Sequence, residues 1–285
     1  MPSPTPRATS TPTPDRPAAM PEGDTIHRIA IALAPRLTGK VLERVTTQGL
    51  LRDLAGRTVT SVAAHGKHLV IELDSGATLR AHLGMNGRFR AYDRAAGEAR
   101  LARMSPGRAS LALVTDDGVY LWVGAPTIEL AHRRHPRHGM AVAALGPDIL
   151  SNDFDSRVAA ARAAAQGARL IVDVLLDQRV VAGIGNIYKC EALFLAGVDP
   201  RTPVDQLDAG RLEQIYAAAC QLMRASIAPP APGAPVRAPF WVYSHTGKPC
   251  RRCGTPIACA SLGEPARWTW SCPKCQPRAA NGRHR

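Results

Sequence analysis

The amino-acid sequence predicts an α+β protein with a β-rich part, a helical part and a small cysteine-bearing module. Six short segments of alternating apolar and polar residues, separated by Gly or Asp turns, lie between residues 41 and 123. After Pro147 the pattern changes to helical periodicity, and two Cys-x-x-Cys pairs lie near the C-terminus. A chain of 285 residues is long enough for two domains of ordinary size.

The N-terminal stretch divides into a low-complexity segment and a helix. Residues 1–19 are rich in Pro, Thr, Ser and Ala and lack an apolar period, which predicts a disordered extension or a mis-assigned start, with Met20 the true initiator. Asp24 is suited to cap a helix whose apolar stripe runs from Ile26 to Leu37, although Pro35 fits poorly inside it. Gly39 is the predicted stop.

The elements that follow suggest a sheet domain and then a helical domain. The predicted strands are 41–46, 58–63, 68–73, 77–83, 109–114 and 118–123. Their spacing favours a sandwich or barrel packed with the first helix. The predicted helices are 153–165, 168–177, 187–196 and 208–226. We therefore place domain limits at 20–146 and 147–227, followed by a linker at 228–242, a cysteine module at 243–278 and a tail at 279–285.

Composition narrows the class of partner and the compartment. Lys and Arg number 36 against 23 Asp and Glu, a formal charge of +13, which favours a polyanion such as nucleic acid. Aromatic residues make up only 5%, so stacking along single strands is not the favoured mode. No apolar run approaches the roughly 18 residues of a membrane span. Seven cysteines, four of them in close pairs, indicate metal ligation in a reducing cytosol.

The cysteine pairs predict one structural zinc ion. Cys250 and Cys253 are separated by eighteen residues from Cys272 and Cys275, a spacing typical of a closed tetrahedral site in a β-hairpin. In so small a module, metal binding contributes much of the folding free energy. Cys190, Cys220 and Cys259 lack partners at ligand spacing; we interpret the first two as buried thiols and the third as a loop residue.

Three basic or glycine-rich stretches could contact phosphate. Asn186, after Gly183-Ile-Gly, is placed to cap the helix that Ile187 opens, and backbone N–H groups there would bind an anion, although an ordinary structural turn explains the pattern too. Lys67, after Gly66, is predicted on a tight turn ahead of a strand. A basic run at 132–139 could touch phosphates or form a solvated loop.

The stretch from Met20 to Asp24 is the candidate site of the chemistry. If Pro21 were the N-terminal residue, its nitrogen would be a free secondary amine able to form an iminium with a sugar aldehyde carbon. Glu22 would be an adjacent proton shuttle. A turn leading into the helix is the alternative interpretation. As written, Pro21 is internal and acylated, so the chemistry requires a start at Met20 or removal of residues 1–20.

Taken together, these residues resemble the formamidopyrimidine-DNA glycosylase / endonuclease VIII family of base-excision repair enzymes. The resemblance covers about residues 20–276 and rests on Pro-Glu-Gly at 21–23, Gly66-Lys67, His-Leu-Gly-Met at 82–85, Gly-Ile-Gly-Asn-Ile-Tyr at 183–188 and Cys-Pro-Lys-Cys-Gln at 272–276. It implies an N-terminal β-sandwich with flanking helices, a helix–two-turns–helix domain and a zinc finger. Damaged double-stranded DNA would lie in the cleft between the halves.

The resemblance also implies roles for individual residues. Pro21 would attack C1′ of a damaged nucleotide flipped from the duplex, with Glu22 as proton donor and acceptor. Lys67 corresponds to a phosphate-binding lysine of the family, Asn186 and Arg267 to residues that hold the phosphates beside the lesion, and Met85 to a side chain that fills the vacated space. The iminium would permit β- and δ-elimination.

Two departures favour the endonuclease VIII branch, which prefers oxidised pyrimidines. Enzymes of guanine oxidation carry an Asp-Pro-Arg-Arg-Phe-Gly stretch where this chain has Gly-Ala-Pro-Thr-Ile at 124–128, and a longer loop where this chain has 228–239. The opening motif and Trp241-Val-Tyr look most like actinobacterial members. The same chemistry on oxidised purines, a catalytically silent damage binder, and a zinc-ribbon protein remain alternatives. We expect a monomer in the bacterial cytoplasm, associated with the nucleoid.

Overall fold

The computed structural model describes residues 21–48, 54–132, 144–229 and 240–278. Within these ranges the fold contains two four-stranded antiparallel sheets, a helical region and a two-stranded hairpin, so the predicted α+β class is confirmed. The predictions for 1–19, 279–285, most of the linker and the basic run after His132 lie outside the described residues.

The described residues form six α-helices and ten β-strands, numbered here in chain order. The helices are α1 (Gly23–Leu37), α2 (Arg94–Ala102), α3 (Ser156–Ala164), α4 (Ile171–Leu176), α5 (Asn186–Ala196) and α6 (Ala209–Ile227), with a 3₁₀ turn at Val204–Gln206. The strands are β1 (Arg44–Thr47), β2 (Val59–His65), β3 (His68–Leu73), β4 (Ala77–His82), β5 (Arg88–Asp93), β6 (Ala109–Val114), β7 (Gly118–Val123), β8 (Thr127–His132), β9 (Ala258–Leu262) and β10 (Arg267–Ser271). In the described ranges, no helix has the length and apolar character needed to cross a membrane.

The two sheets form the predicted sandwich. One sheet has the order β1-β6-β7-β5 and the other β2-β3-β4-β8. Their inner faces and α1 enclose one apolar core, to which Leu33, Leu79, Leu111 and Trp122 contribute fully buried side chains. Helix α1 supplies that core through the apolar stripe at helical spacing. Pro35 lies in its last turns on the exposed side, and the helix continues to Leu37.

Three elements of the sandwich were not predicted: β5, α2 and β8. Strands β5 and β8 complete the two sheets at one edge each. Helix α2 packs on β5 and β7, and its approach depends on Gly97, where a Cβ would lie 2.5 Å from Val119 Cγ2.

The helical region has a separate core built around α5. Every residue of α5 except Leu195 is buried, and α6 packs against α3, α5 and α1 through a stripe of buried residues that includes Leu212, Ile215 and Met223. A helix that is apolar nearly all round belongs in the middle of a bundle. Cys190 and Cys220 are buried in this core, as predicted.

The β9–β10 hairpin packs on α5 and carries the cysteine module. Glu191 on α5 accepts backbone N–H bonds from Trp241, Val242 and Tyr243 at 2.7 to 3.0 Å, and so fixes the chain just ahead of the module. Cys259 lies in β9 and not in a loop, which corrects the sequence-based interpretation.

Candidate active site

An open pocket of about 470 Å³ lies where the sandwich, the helical region and the hairpin meet. All six predicted catalytic and DNA-binding residues line it, and they come from five separate places in the chain. They are Pro21, Glu22, Lys67, Met85, Asn186 and Arg267. The fold therefore assembles in one cavity residues that the sequence separates by up to 246 positions (267 − 21).

Glu22 is bound by the start of α5. The side chain is 1% exposed, and its carboxylate accepts backbone N–H bonds from Gly185 at 3.1 Å, Ile187 at 2.7 Å and Tyr188 at 3.4 Å. These N–H groups have no partner within the helix, and the helix dipole favours negative charge there. The adjacent Gly23 N–H donates to the Gly183 carbonyl at 3.0 Å. The residues that directly follow Pro21 are thus fixed against the start of α5.

Glycines allow this close approach. A Cβ at Gly185 would lie 2.6 Å from Glu22 Cγ, and one at Gly23 would lie 2.9 Å from Gly183 Cα. Gly183 also has a φ of +110°, which residues with a side chain rarely adopt. The absence of side chains in the Gly-x-Gly turn therefore leaves the space that the Glu22 side chain occupies.

Glu22 and Lys67 influence one another's protonation. Burial raises the pKa of Glu22 to about 7, against the opposing effects of Lys67 and the backbone N–H groups. Burial lowers the pKa of Lys67, and the Glu22 carboxylate partly offsets this. A carboxyl group with a pKa near neutrality can both donate and accept a proton at physiological pH.

Lys67 occupies the tight turn that the sequence predicts. Strand β2 ends at His65 and β3 begins at His68, so Gly66 and Lys67 form a two-residue hairpin turn, with Gly66 at a φ of +56°. The Gly66 N–H donates to Asp148 Oδ2 at 2.9 Å, which ties the turn to the helical region.

Asn186 does not cap α5 through its side chain, contrary to the prediction. Gly185 is the N-cap, because the Glu22 carboxylate already accepts the N–H groups that a side-chain cap would use. The Asn186 amide instead donates to the Trp268 carbonyl at 2.9 Å and accepts from Lys189 Nζ at 2.7 Å. Asn186 thereby joins α5 to the hairpin.

Arg267 and Met85 both line the pocket. Arg267 opens β10, and its guanidinium makes no hydrogen bond or ion pair with any residue that the structure describes. Met85 is 56% exposed in the connection between β4 and β5. An unpaired cation and an exposed apolar side chain at one cavity suit a ligand with both phosphate and apolar parts.

Three buried charged residues around the pocket were missed by the sequence analysis. They are Asp148, Lys189 and Glu191. The signal for two of them was present, because charged residues inside a helix that is otherwise apolar all round must be buried and satisfied. Lys189 Nζ donates to Asn186 Oδ1 and, at 2.8 Å, to Thr269 Oγ1, and burial lowers its pKa.

Asp148 joins three elements at the back of the pocket. One oxygen contacts His27 Nε2 at 2.8 Å and accepts the Gly66 N–H, while the other accepts the Leu150 N–H at 2.9 Å. Burial alone would raise the pKa of Asp148, but these bonds outweigh it and its pKa lies below the usual range. No local pattern marked this residue, since its partners His27 and Gly66 are 121 and 82 positions away in the sequence.

The four predicted zinc ligands lie together in the hairpin module. The Sγ atoms of Cys250, Cys253, Cys272 and Cys275 all lie within 4.8 Å of one another, with separations of 3.9 Å and 3.5 Å for two of the pairs. A tetrahedral ion with Zn–S bonds of about 2.3 Å sets its sulfurs roughly 3.8 Å apart. The cluster therefore fits one zinc ion, and the four thiolates would complete a closed structural site.

Two domain families match most of the chain. The formamidopyrimidine-DNA glycosylase N-terminal domain matches residues 20–124, and the formamidopyrimidine-DNA glycosylase H2TH domain matches residues 145–234. The chain is 36% identical over 272 residues to a probable endonuclease 8 of Streptomyces coelicolor, with 90% of this chain and 94% of that protein covered. It is 38% identical to a DNA-(apurinic or apyrimidinic site) lyase of Mycolicibacterium smegmatis, with 90% and 99% covered.

Solved structures share the fold. A Lactococcus lactis Fpg bound to DNA with an abasic site superimposes with a TM-score of 0.74 at 23% identity, covering 90% of this chain and 100% of that one. MutM bound to DNA with a carbocyclic 8-oxo-G superimposes with a TM-score of 0.76 at 23% identity and the same coverage. At this level of identity the likeness concerns the architecture: two sheets, helical domain and terminal hairpin.

Proposed function

The chain belongs to the formamidopyrimidine-DNA glycosylase / endonuclease VIII family, and on that premise we propose that it is a bifunctional DNA glycosylase and abasic-site lyase of base excision repair. The observation that carries the proposal is the placement of Pro21 and buried Glu22 in one pocket with Lys67 and Arg267. A secondary amine, a carboxyl group titrating near neutrality and two cations are what iminium chemistry beside phosphates requires. The relatives named as endonuclease 8 and as a lyase support it.

In the proposed reaction, the Pro21 nitrogen attacks C1′ of a flipped nucleotide. The bond from C1′ to the base breaks, the base leaves with a proton, and Glu22 protonates the sugar ring oxygen as the ring opens to the iminium. Loss of a C2′ proton then expels the 3′ phosphate by β-elimination, and δ-elimination expels the 5′ phosphate. Water finally hydrolyses the linkage and restores the amine.

Glu22 suits this role because its carboxyl group can gain or lose a proton near neutral pH. With the pKa raised to about 7 by burial, both the acid and the carboxylate are populated near neutral pH. Three backbone N–H groups hold the carboxylate at a fixed position, which reduces reorganisation when the proton moves.

The cations are proposed to bind the phosphates beside the lesion. Lys67 is held on a hairpin turn and Arg267 at the start of β10, and both face the pocket. The Asn186 amide already bonds to the Trp268 carbonyl. We therefore assign Asn186 to phosphate binding together with positioning of the β10 end from which Arg267 extends.

Oxidised pyrimidines are the proposed substrates. Only residues 124–126 connect β7 to β8, and of these Ala125 is buried and Pro126 is short, so this connection offers no long side chain to fill a space beside the lesion. Met85 is the side chain proposed to enter the stack. The damaged duplex would be bound by a monomer with one structural zinc.

The chemistry requires a free Pro21 nitrogen, which we propose arises from initiation at Met20 or from removal of residues 1–20. Borohydride trapping on a duplex with an abasic site tests this, using one protein that begins at Met1 and one that begins at Pro21. We expect crosslinking only by the shorter form, and none by that form when acetylated at its N-terminus or carrying Glu22→Gln. Tandem mass spectrometry of the digested trapped species identifies the attachment at Pro21.

Base release and crosslinking together test the two alternatives, activity on oxidised purines and a catalytically silent damage binder. A lesion panel with matched oxidised pyrimidine and oxidised purine duplexes would show base release from the first set in excess. Faster release from the purines would reassign the substrate class. Tight lesion binding without crosslinking by either form would identify a catalytically silent damage binder and refute the lyase.

A further inference from the structure

A second groove of about 670 Å³ lies on the outer face of the sandwich, beside α2. Five arginines line it, and the lining contains no aspartate or glutamate. They are Arg88, Arg90, Arg100, Arg103 and Arg108, which we call the arginine groove. None of the catalytic residues proposed above belongs to it.

The nearby acidic side chains are already engaged elsewhere. Asp93 caps α2 by accepting the Ala96 N–H at 2.8 Å. Glu98 pairs with Arg44 at 2.6 Å and Arg94 at 3.0 Å. Both acids lie outside the lining of the groove, so its positive charge is not neutralised within the described chain.

The arginines themselves are almost free of partners. Arg90 donates to the Phe89 carbonyl at 3.0 Å. The side chains of the other four make no hydrogen bond or ion pair with the residues that the structure describes, and all five arginines are exposed. Like charges grouped in this way repel one another, so the grouping is unfavourable for the free protein.

Ordered elements hold the groove in shape. Arg88 and Arg90 alternate along β5 and therefore point to the same side of the sheet, paired opposite Val123 and Leu121 of β7. Tyr92, Met104 and Leu121 form an apolar floor. The guanidinium groups thus extend from a fixed base, which suits bidentate contact with phosphate oxygens.

The groove adjoins the active-site pocket at one turn. The Gly87 N–H donates to the Leu83 carbonyl at 2.8 Å and closes this turn between β4 and β5. Within it, Met85 lines the active-site pocket and the next residue, Asn86, lines the arginine groove. A long polyanion that occupies the pocket can therefore extend along the same edge.

We propose that the arginine groove is a second binding site for the DNA sugar–phosphate backbone, which contacts duplex beyond the nucleotides in the active-site pocket. The identity of the polyanion rests on the proposed function. Arginine guanidinium groups without an exposed aromatic side chain beside them bind phosphates and not bases, so the contact is independent of the DNA sequence. Its effect is to raise affinity and to orient the duplex across the turn that carries Met85.

The test compares two triple variants that remove equal charge. The groove variant is Arg100→Gln, Arg103→Gln and Arg108→Gln; the control is Arg57→Gln, Arg157→Gln and Arg201→Gln, all at exposed positions outside both cavities. Binding to a 30-base-pair lesion duplex is measured by anisotropy over a range of salt. Each lost phosphate contact lowers the slope of log K against log salt by about 0.9.

We expect the groove variant to lose a slope of about 2 to 3 and at least tenfold in affinity at 0.1 M salt, with the control near wild type. A matched Arg→Lys triple should recover most of the slope, and thermal unfolding shows whether each variant is folded. Equal slopes for the groove variant and the control would overturn the proposal. Equal slopes with loss of binding to a poly-glutamate peptide would instead assign the groove to an acidic protein partner.

The outcome is separable from that of the proposed function. Failure of the protein that begins at Pro21 to crosslink, while the groove variant still shows the reduced slope, would refute the lyase and leave the groove assigned. Normal crosslinking with an unchanged slope would do the reverse.

Discussion

Glu22 shows how one side chain can serve both folding and chemistry. Its carboxylate accepts the N–H groups at the start of α5, and so replaces a local cap with a group from the other end of the fold. The same burial that makes these bonds possible raises its pKa to about 7. The hydrogen bonds of Glu22 therefore stabilise the folded protein, whereas ionisation of its buried carboxyl group destabilises it.

That penalty predicts a pH-dependent effect on stability. Because the folded pKa of Glu22 is about 7 and the ordinary value is 4.5, its stability contribution is full below 4.5 and is lost as pH rises through 7. The difference in unfolding free energy between Glu22→Gln and wild type should shift in favour of the variant by about 2 to 3 kcal/mol between pH 5 and pH 8. Urea unfolding at a series of pH values measures this.

Glu43→Gln is the control, since Glu43 is an exposed glutamate of the same domain. Its unfolding free energy relative to wild type should vary little over the same range. A Glu22→Gln difference that is constant with pH would mean that Glu22 keeps an ordinary pKa, and would remove the basis for its proton-shuttle role.

At the scale of elements, the β9–β10 hairpin shapes one side of the pocket and packs Ile257 and Trp270 into the core of the helical region. It brings Arg267 to the pocket, while Trp268 and Thr269 receive bonds from Asn186 and Lys189 on α5. So small a hairpin has little core of its own, and its cysteine cluster must contribute much of its folding free energy.

Metal removal should therefore disorder the hairpin and spare the sandwich. We expect one zinc per chain by native mass spectrometry, and chelation should reduce the near-UV dichroism of the hairpin tryptophans and lower crosslinking at least tenfold. Cys259→Ser is the matched control, since this β9 thiol lies outside the cluster and its variant should retain zinc. Full crosslinking after verified zinc loss would contradict the dependence of the pocket on the hairpin.

The elements differ in how far local sequence could predict them. Helix α1 and strands β3, β6 and β7 follow from period alone, because each buries one face or both. Strand β5 was missed because only Phe89 and Ala91 face the core, between outward arginines. Helix α2 was missed because Leu101 is its only large apolar residue. Gly97, which weakens a helix locally, is explained only by contact with Val119.

The residues of the candidate site also differ in how far the sequence could predict them. Residues with reactive groups, such as Pro21, Lys67 and the cysteines, stand out by type and spacing. Asp148 and the contact of Asn186 with the hairpin do not, since their defining partners, Gly66 and Trp268, each lie 82 positions away in the sequence. The cap prediction for Asn186 was wrong for this reason: the competing acceptor, Glu22, is 164 positions (186 − 22) distant in sequence.

At the scale of the whole molecule, the sandwich and the helical region are joined by buried polar contacts. Asp148 binds His27 and Gly66 of the sandwich. Ser226 of α6 donates to Asp24 of α1 at 2.7 Å. Because Gly66 directly precedes Lys67, its bond to Asp148 holds the Lys67 turn against the helical region.

Asp148→Ala should therefore weaken both stability and function. Removal of the carboxylate leaves the buried N–H groups of Gly66 and Leu150 without partners, a cost of about 3 kcal/mol in unfolding free energy. Crosslinking should fall even at temperatures where the variant is fully folded, because the Lys67 turn is released. Urea unfolding and hydrogen exchange at the β2–β3 turn measure the two effects.

Asp153→Ala is the control, because Asp153 is an exposed carboxylate in the same segment and its removal should change neither property. Wild-type exchange at the turn in Asp148→Ala would show that the turn is held by the sandwich alone.

The contact between Gly185 and Glu22 has a consequence for descent. A Cβ at position 185 collides with the glutamate side chain, so the glycine is demanded by the carboxylate that it seats. A lineage that abandoned the chemistry and shortened residue 22 would release residue 185 from this restriction, and the two positions would drift together. Paired loss of Glu22 and Gly185 would then identify relatives that no longer carry out the chemistry.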